Sequence, residues 1–335
     1  MVDIGLYASL EQFSPAECLE QTVLAEEAGF ESVWVNDHFH PWFDRVGDGS
    51  EANGGDCWTW MPVALERTDD ITIGPGVTAV LNRHHPANLA HHMATIAELY
   101  PDRLVFGIGT GAPLNEDPLG FPWPEYGERA RRTAEAIRIV RKLFEEDYVD
   151  FDGNFWQLNS AHLYNGPNEA PPIHVAANGP MSARMAGDLG DGLFTVPEAD
   201  PESLAGDLFP GIERGVEKSA HNEDPDEIER SVNVLVSYGE TENEAMRSIK
   251  PWRVLLLPMM FEHAVSDPRY LQKHGDLVGE EQLADSFTIT TDPADLIDIV
   301  DEWNDAGFDR VVFHSASPDQ ERFIETVRDE VMPSF

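Results

Sequence analysis

At 335 residues the chain is long enough for one large α/β barrel or for two modest domains, and in either case for a sizeable core. Asp and Glu number 62 against 22 Lys and Arg, a net charge of -40 spread along the whole chain, which disfavours nucleic acid and anionic membrane as partners. Spread acidity in an otherwise globular composition is a halophile signature, because in molar salt the Debye length falls to about 3 Å and self-repulsion is screened. A cytoplasmic protein working in high salt is therefore expected. The two cysteines, Cys18 and Cys57, form neither a disulfide framework nor a metal-ligand spacing, so no metal is expected. No apolar run approaches the roughly 18 residues of a membrane span, and the start of the chain lacks the basic segment of a signal peptide.

Asp3 to Ser9 reads as a first strand. Ser14-Pro15 then opens a helix, with serine at the cap and proline at its first position, that closes near Gly29. The second strand stands out: Val33-Trp34-Val35 is apolar and β-branched, and it stops abruptly in Asn36-Asp37-His38-Phe39-His40-Pro41-Trp42. A buried parallel strand reads as such a run, and polar groups at its carboxyl end project into the face where barrel and doubly wound enzymes place their chemistry. Asp37, His38 and Trp42 are the first candidates on that ground. A Gly-rich loop, Gly47 to Gly55, is expected to be mobile surface, and a helix from Cys57 to Arg67 follows. The third strand, Ile71 to Thr78, is interrupted by Gly74, Pro75 and Gly76, which marks a bulge or a close approach of backbone.

A histidine-rich stretch from Asn82 becomes helical up to Tyr100, and Arg103 to Gly111 forms a fourth strand with a glycine cluster too incomplete for a dinucleotide loop. The helix Trp123 to Phe144 gathers Arg129, Arg131, Arg132, Arg138, Arg141 and Lys142, in this acidic chain a salt-bridged face before it is an anion site. Asp147 to Asn165 reads as a hairpin insertion. Pro172 to Asn178 is a fifth strand, and Gly179-Pro180 begins the next helix, so a glycine and a helix N-terminus together make an anion cradle. Strands at Gly192 to Val196, Ser231 to Tyr238 and Arg310 to Ser315 complete the set. Strand and helix thus alternate eight times, which predicts α/β architecture closed as a (β/α)8 barrel: one domain over 1–335, with insertions near 145–170 and 250–290.

Taken in order, Ser9-Leu10-Glu11-Gln12-Phe13, Asp37 to Trp42, Trp60-Met61, Gly74 to Val77, Gly109-Thr110-Gly111, Leu114-Asn115-Glu116, Asp150 to Gly153, Ala176 to Pro180, Gly190 to Gly192 and Val312-Phe313-His314 resemble the bacterial-luciferase-like family. The resemblance is to its branch that uses the deazaflavin coenzyme F420, closest to the F420-dependent glucose-6-phosphate dehydrogenases. It implies that Asp37, Gly76, Val77, Asn115, Ala176, Ala177, Asn178 and Gly179 hold the cofactor, and that the Gly76–Val77 peptide is cis. It further implies His38 as the base that takes a hydroxyl proton while hydride leaves the neighbouring carbon, with Trp42, Trp60 and Glu11 shaping the pocket and His263 near the substrate. A homodimer is expected from the family alone.

The chain departs from this pattern in three places. Ala112 stands where the resemblance implies a catalytic Glu, so a ring proton must come from Glu11, Glu116 or water. The positions matching two Lys and one Arg phosphate ligands fall at about Ala199, Glu262 and Ser286, none of them cationic. An apolar run, Val254 to Phe261, precedes Glu262-His263 and either packs or lines the substrate mouth. The expected substrate is accordingly a small or apolar secondary alcohol, or the ketone in reverse. Alternatives are a sugar-phosphate dehydrogenase, a methylene-tetrahydropterin reductase, a monooxygenase using FMN, or a non-catalytic F420-binding protein.

Overall fold

A computed structural model describes residues 2–197, 199–257 and 265–335. Strand β1 (Asp3–Ala8) leads into α1 (Pro15–Ala28), whose ends are written in the local sequence. Ser14 and Glu17 form a reciprocal capping box, Pro15 occupies the first turn, and Gly29 closes the helix in the left-handed conformation at φ 92°. After β2 (Ser32–Val35) comes α2 (Cys57–Arg67), capped by the Asp56 carboxylate, which accepts the Thr59 N–H at 2.8 Å. The interrupted third strand is two pieces, β3 (Thr72–Pro75) and β4 (Thr78–Ala79), separated at a cis Gly76–Val77 peptide. Glycine is required here by close approach: a Cβ on Gly74 would collide with the Val105 carbonyl, and one on Gly107 with the Pro75 carbonyl.

The chain continues through α3 (Pro86–Leu99), β5 (Phe106–Gly109) and α4 (Tyr126–Glu145). The antiparallel hairpin β6 (Val149–Asp152) and β7 (Gln157–Ala161) is the expected insertion. Its turn is pinned by the buried Glu135 carboxylate, which accepts the N–H groups of Asn154, Phe155 and Trp156 at 2.9–3.0 Å. Next come β8 (Ile173–Ala176), α5 (Pro180–Leu189), β9 (Gly192–Thr195), α6 (Pro201–Val216), β10 (Glu229–Tyr238) and α7 (Glu242–Ile249). The remainder is α8 (Pro268–Gly275), α9 (Glu280–Ser286), β11 (Thr288–Thr290), α10 (Pro293–Asp305), β12 (Arg310–Ser315) and α11 (Gln320–Thr326). The order of strand and helix is that of a (β/α)8 chain, with β3 and β4 sharing one strand position. The sequence reading lacks α8, α9 and β11.

The chain divides into two compact units. The first holds the described parts of 2–71, 112–123 and 232–335. Its sheet runs β2–β1–β12–β10, all parallel where their registers are given, with β11 parallel to β10. In the second, 72–111 and 124–231, parallel strands run β4–β5–β8–β9, and β3 bridges to Leu104 just ahead of β5. Strands such as β2, β5 and β9 are buried along their whole length, as parallel strands covered on both faces must be. No helix among the described residues is long and apolar enough to cross a membrane.

Candidate active site

Register settles which side chains meet at the carboxyl ends of the first unit's strands. A Cβ on Gly5 would touch Ser32 Oγ and Val312 Cγ2, so these three positions share one sheet face, and the two-residue alternation puts Tyr7, Trp34 and His314 on that face as well. One further step along β2 brings Asn36 to the strand end. Its Oδ1 accepts the Leu10 N–H at 2.7 Å, and its Nδ2 donates to Glu11 Oε1 at 3.3 Å. Glu11, on the turn after β1, is only 2 % exposed. Its Oε1 is also the partner of His38 Nδ1, and its Oε2 accepts the Trp42 N–H at 3.2 Å.

One buried carboxylate therefore gathers three donors. Carboxylate oxygens accept, so His38 meets Glu11 as a donor through Nδ1, and Nε2 is the ring nitrogen on the far side from Glu11. His38 keeps 17 % of its side chain in solvent while Glu11 is sealed, so the imidazole is the reachable end of the pair. The Trp42 indole meets the His38 ring edge-on at 5.3 Å. Asn115 Oδ1 accepts the Phe39 N–H at 2.9 Å and so holds the loop just past His38. Asp37 is buried beside it, and Glu116 is wholly buried next to Asn115.

Behind the pair lies a ring stack. The His314 imidazole sits 4.4 Å from Tyr7 and 4.5 Å from Trp252, and its Nε2 has no hydrogen-bond partner among the described residues. Burial, with the nearby His38 adding to it, pushes the His314 pKa down to about 3, so this ring is neutral near pH 7. Burial raises the Tyr7 phenol well above its ordinary value, and Glu11, Cys57 and Asp37 add to it, so Tyr7 keeps its proton. Trp42 and Trp252 belong to an apolar cluster with Phe43, Ala112, Leu235 and Val254. Ala112 is 5 % exposed there, Val254 is fully buried, and Leu255, Leu256 and Leu257 are partly buried against the cluster, so this part of the apolar run packs. The rest of the run, with Glu262 and His263, lies outside the described residues.

In the second unit Gly76 and Val77 form the cis peptide, and Ala176, Ala177, Asn178 and Gly179 link the end of β8 to the start of α5. Gly179 is the N-cap. It brings no side chain to the first-turn N–H groups, and a Cβ there would meet nothing within 4 Å. Asn178 lies alongside, its Oδ1 accepting Thr195 Oγ1–H at 3.4 Å. Open N–H groups at the positive end of a ten-residue helix fit the phosphate of an anionic cofactor. The basic face of α4 is largely occupied elsewhere: Arg132 pairs with Glu128 at 3.0 Å, Arg141 with Asp191 at 2.9 Å, and Lys142 with Glu146 at 2.6 Å.

Glu11, His38 and Trp42 are thus brought into direct contact, with Asp37 and Asn115 on the same loop system. The Trp60 indole donates to the Pro15 carbonyl at 2.9 Å and packs on α1. The Gly47–Gly55 loop is anchored rather than free, Asn53 N–H reaching the Glu11 carbonyl at 2.8 Å. Beside it a cavity of about 450 Å³ is lined by His40, Asp44, Glu51, Asn53, Asp267 and Arg269 among others, and by neither member of the Glu11–His38 pair. Sequence reasoning missed Asn36, Tyr7 and Trp252. For Tyr7 the available signal was strand parity, since it lies two residues beyond Gly5 on β1. Among the described residues no group of three or more His, Cys, Asp or Glu could hold a metal ion.

The chain aligns with the F420-dependent glucose-6-phosphate dehydrogenase of Intrasporangium calvum at 35 % identity, covering 100 % of this chain and 99 % of that one. The enzyme of the same name from Mycolicibacterium smegmatis is 35 % identical, over 98 % and 97 %. Among solved structures, an F420-dependent secondary alcohol dehydrogenase in complex with an F420-acetone adduct superposes with a TM-score of 0.92 at 34 % identity, over 99 % of this chain and 98 % of that one. Residues 2–310 match the family described as luciferase-like monooxygenase, and with relatives this similar over their full length the chain belongs to that family.

Proposed function

We propose that this protein is an F420-dependent dehydrogenase that transfers hydride between the deazaflavin and a small or apolar secondary alcohol, or works from the ketone in reverse, with His38 as general base. The observation that carries this reading is the Glu11–His38 pair. Oxidising an alcohol requires an acceptor for the hydroxyl proton within hydrogen-bond reach, and an imidazole held through Nδ1 by a buried carboxylate can offer Nε2 as that acceptor. Bound coenzyme F420 supplies the hydride-accepting ring, and the protein supplies orientation. Asp37, Gly76, Val77, Asn115, Ala176, Ala177, Asn178 and Gly179 are assigned to the cofactor on the family resemblance. The open α5 N-terminus suits the cofactor's phosphate. The same reading includes a homodimer in a salt-rich cytoplasm, on the family resemblance and on the net charge of -40.

For the substrate, the uncharged Ala199 and Ser286 favour a neutral molecule over a sugar phosphate, as does the apolar cluster that includes Trp42 and Ala112. A phosphate dianion without a compensating cation is disfavoured by on the order of several kcal/mol in a partly buried site. The test is a deazaflavin-bleaching assay in molar salt. It compares secondary alcohols with glucose 6-phosphate, wild type with His38→Ala, and coenzyme F420 with FMN plus dioxygen. Turnover of an alcohol with F420, lost in His38→Ala, is the expected result. Turnover of glucose 6-phosphate alone refutes the substrate class, and no turnover with any alcohol or ketone refutes the dehydrogenase reading.

A further inference from the structure

We propose that Asn36 is a positioning residue of this reaction: it orients the Glu11 carboxylate so that His38 presents an unprotonated Nε2 to the substrate hydroxyl. The inference rests on the reading of His38 as the base and extends it to a residue that touches neither substrate nor the base itself.

The Asn36 side chain is 2 % exposed and spans two elements, from the end of β2 to the turn after β1. Its amide can face only one way. The Leu10 N–H at 2.7 Å requires an acceptor, so Oδ1 lies there, and Nδ2 must then point at Glu11 Oε1. Oε1 receives two donors, Asn36 Nδ2 and His38 Nδ1, while Oε2 receives the Trp42 N–H. The carboxylate is therefore held at both oxygens by groups on the β2 end and its loop. Only the bond to His38 comes from a side chain that also reaches solvent. With the Glu11 oxygens fixed as acceptors, the Nδ1–H tautomer of His38 is stabilised over the Nε2–H tautomer, which has its lone pair on the wrong side for a base.

Replacing Asn36 with Asp keeps shape and the bond to Leu10 but turns the donor facing Glu11 into an acceptor. The two carboxylates repel, the Glu11 oxygens are no longer held in place as the acceptor facing His38, and the His38 tautomers mix. The other titratable groups around the pair, Tyr7 of β1, Asp37 beside β2, Cys57 of α2 and His314 of β12, are the same in every variant.

The experiment reads the tautomer directly. Two-bond ¹H–¹⁵N correlation spectra of cofactor-free protein, with the His38 signals assigned by their loss in His38→Ala, are recorded for wild type, Asn36→Asp and Asn36→Ala. The Nδ1–H pattern is expected in wild type and a mixed or Nε2–H pattern in both Asn36 variants. In the assay, kcat should fall at least tenfold with KM within twofold. Should Asn36→Asp not fold, Asn36→Ala carries the same spectroscopic comparison. An unmoved tautomer with kcat within twofold of wild type overturns the role of Asn36. His38→Ala assayed alongside separates the two claims: retained turnover there refutes the base, whereas a dead His38→Ala beside wild-type-like Asn36 variants refutes only the positioning role.

Discussion

Glu11→Gln is the substitution that most directly probes the proposed chemistry. The carboxylate accepts from three donors, His38 Nδ1 and Asn36 Nδ2 at one oxygen and the Trp42 N–H at the other. A glutamine amide of the same shape has one accepting edge and one donating edge. If the carbonyl faces His38, the new NH2 group confronts the Trp42 N–H; if it faces Trp42, it confronts His38 and Asn36. Either arrangement forfeits at least one charge-assisted hydrogen bond, about 1.5–3 kcal/mol, at a site that water does not reach. The second arrangement also drives His38 toward the wrong tautomer, and the equivalent carboxylate-to-amide exchange in a serine-protease triad lowers turnover about 10⁴-fold. We expect kcat/KM to fall between about 10²-fold and 10⁴-fold, which is roughly 2.7–5.5 kcal/mol of transition-state stabilisation. The assay is deazaflavin bleaching with a secondary alcohol in molar salt, and F420 affinity is followed separately by fluorescence and should stay within about twofold. A loss of kcat/KM below about fivefold, with an unchanged pH profile, would refute the dyad.

Four further outcomes follow from the structure. His314 is fully buried with its pKa lowered to about 3, so the native state binds fewer protons there than the unfolded chain. Its contribution is fully present above about pH 6.5 and is lost as pH falls toward 3, on the order of 5 kcal/mol over that window. His314→Phe, which keeps the packing against Tyr7 and Trp252, should flatten this acid limb in melts across pH; an equally steep fall would show that other groups govern it. Ala112→Glu puts a carboxyl among Trp42, Leu235 and Trp252 and should cost about 1–3 kcal/mol in a denaturant melt, even though it adds the acid that the resemblance implies. Cys18 and Cys57 are both fully buried, and burial raises the Cys18 thiol, so neither should react with an aromatic disulfide reagent until the protein unfolds; stoichiometric labelling of native protein would contradict the core described above. With a net charge of -40, thermal stability should rise between about 0.1 M and 2 M potassium chloride as the Debye length shrinks from about 10 Å to below 3 Å, and a steady decline would refute the salt-adapted reading.

Much of the fold was legible because its signals are local. The capping box at Ser14 and Glu17, Pro15 and the left-handed Gly29 bound α1 within a few residues of chain, and the apolar run into Asp37-His38 marks a strand end wherever that strand goes. The Gly74–Gly76 interruption likewise announced the break between β3 and β4. The segment holding α8, α9 and β11 was not legible, since these elements are three to eight residues long and too short to establish a period.

The sequence by itself determined the order of strands and helices, the excess of acid, and which chemically capable residues end the second strand. Partnership was decided only in three dimensions. Glu11 and His38 lie 27 residues apart, and no spacing rule joins them; the parallel register of β1 with β2 brings their loops together, and Asn36 locks the contact. The register of β1 with β12 sets Tyr7 against His314 across the ends of the chain, and the Trp60 indole finds its acceptor in the Pro15 carbonyl of α1, 45 residues away. Hydrogen bonds and ring contacts act over a few ångströms, and which residues come within that reach is set by the registers of strands paired across long stretches of chain.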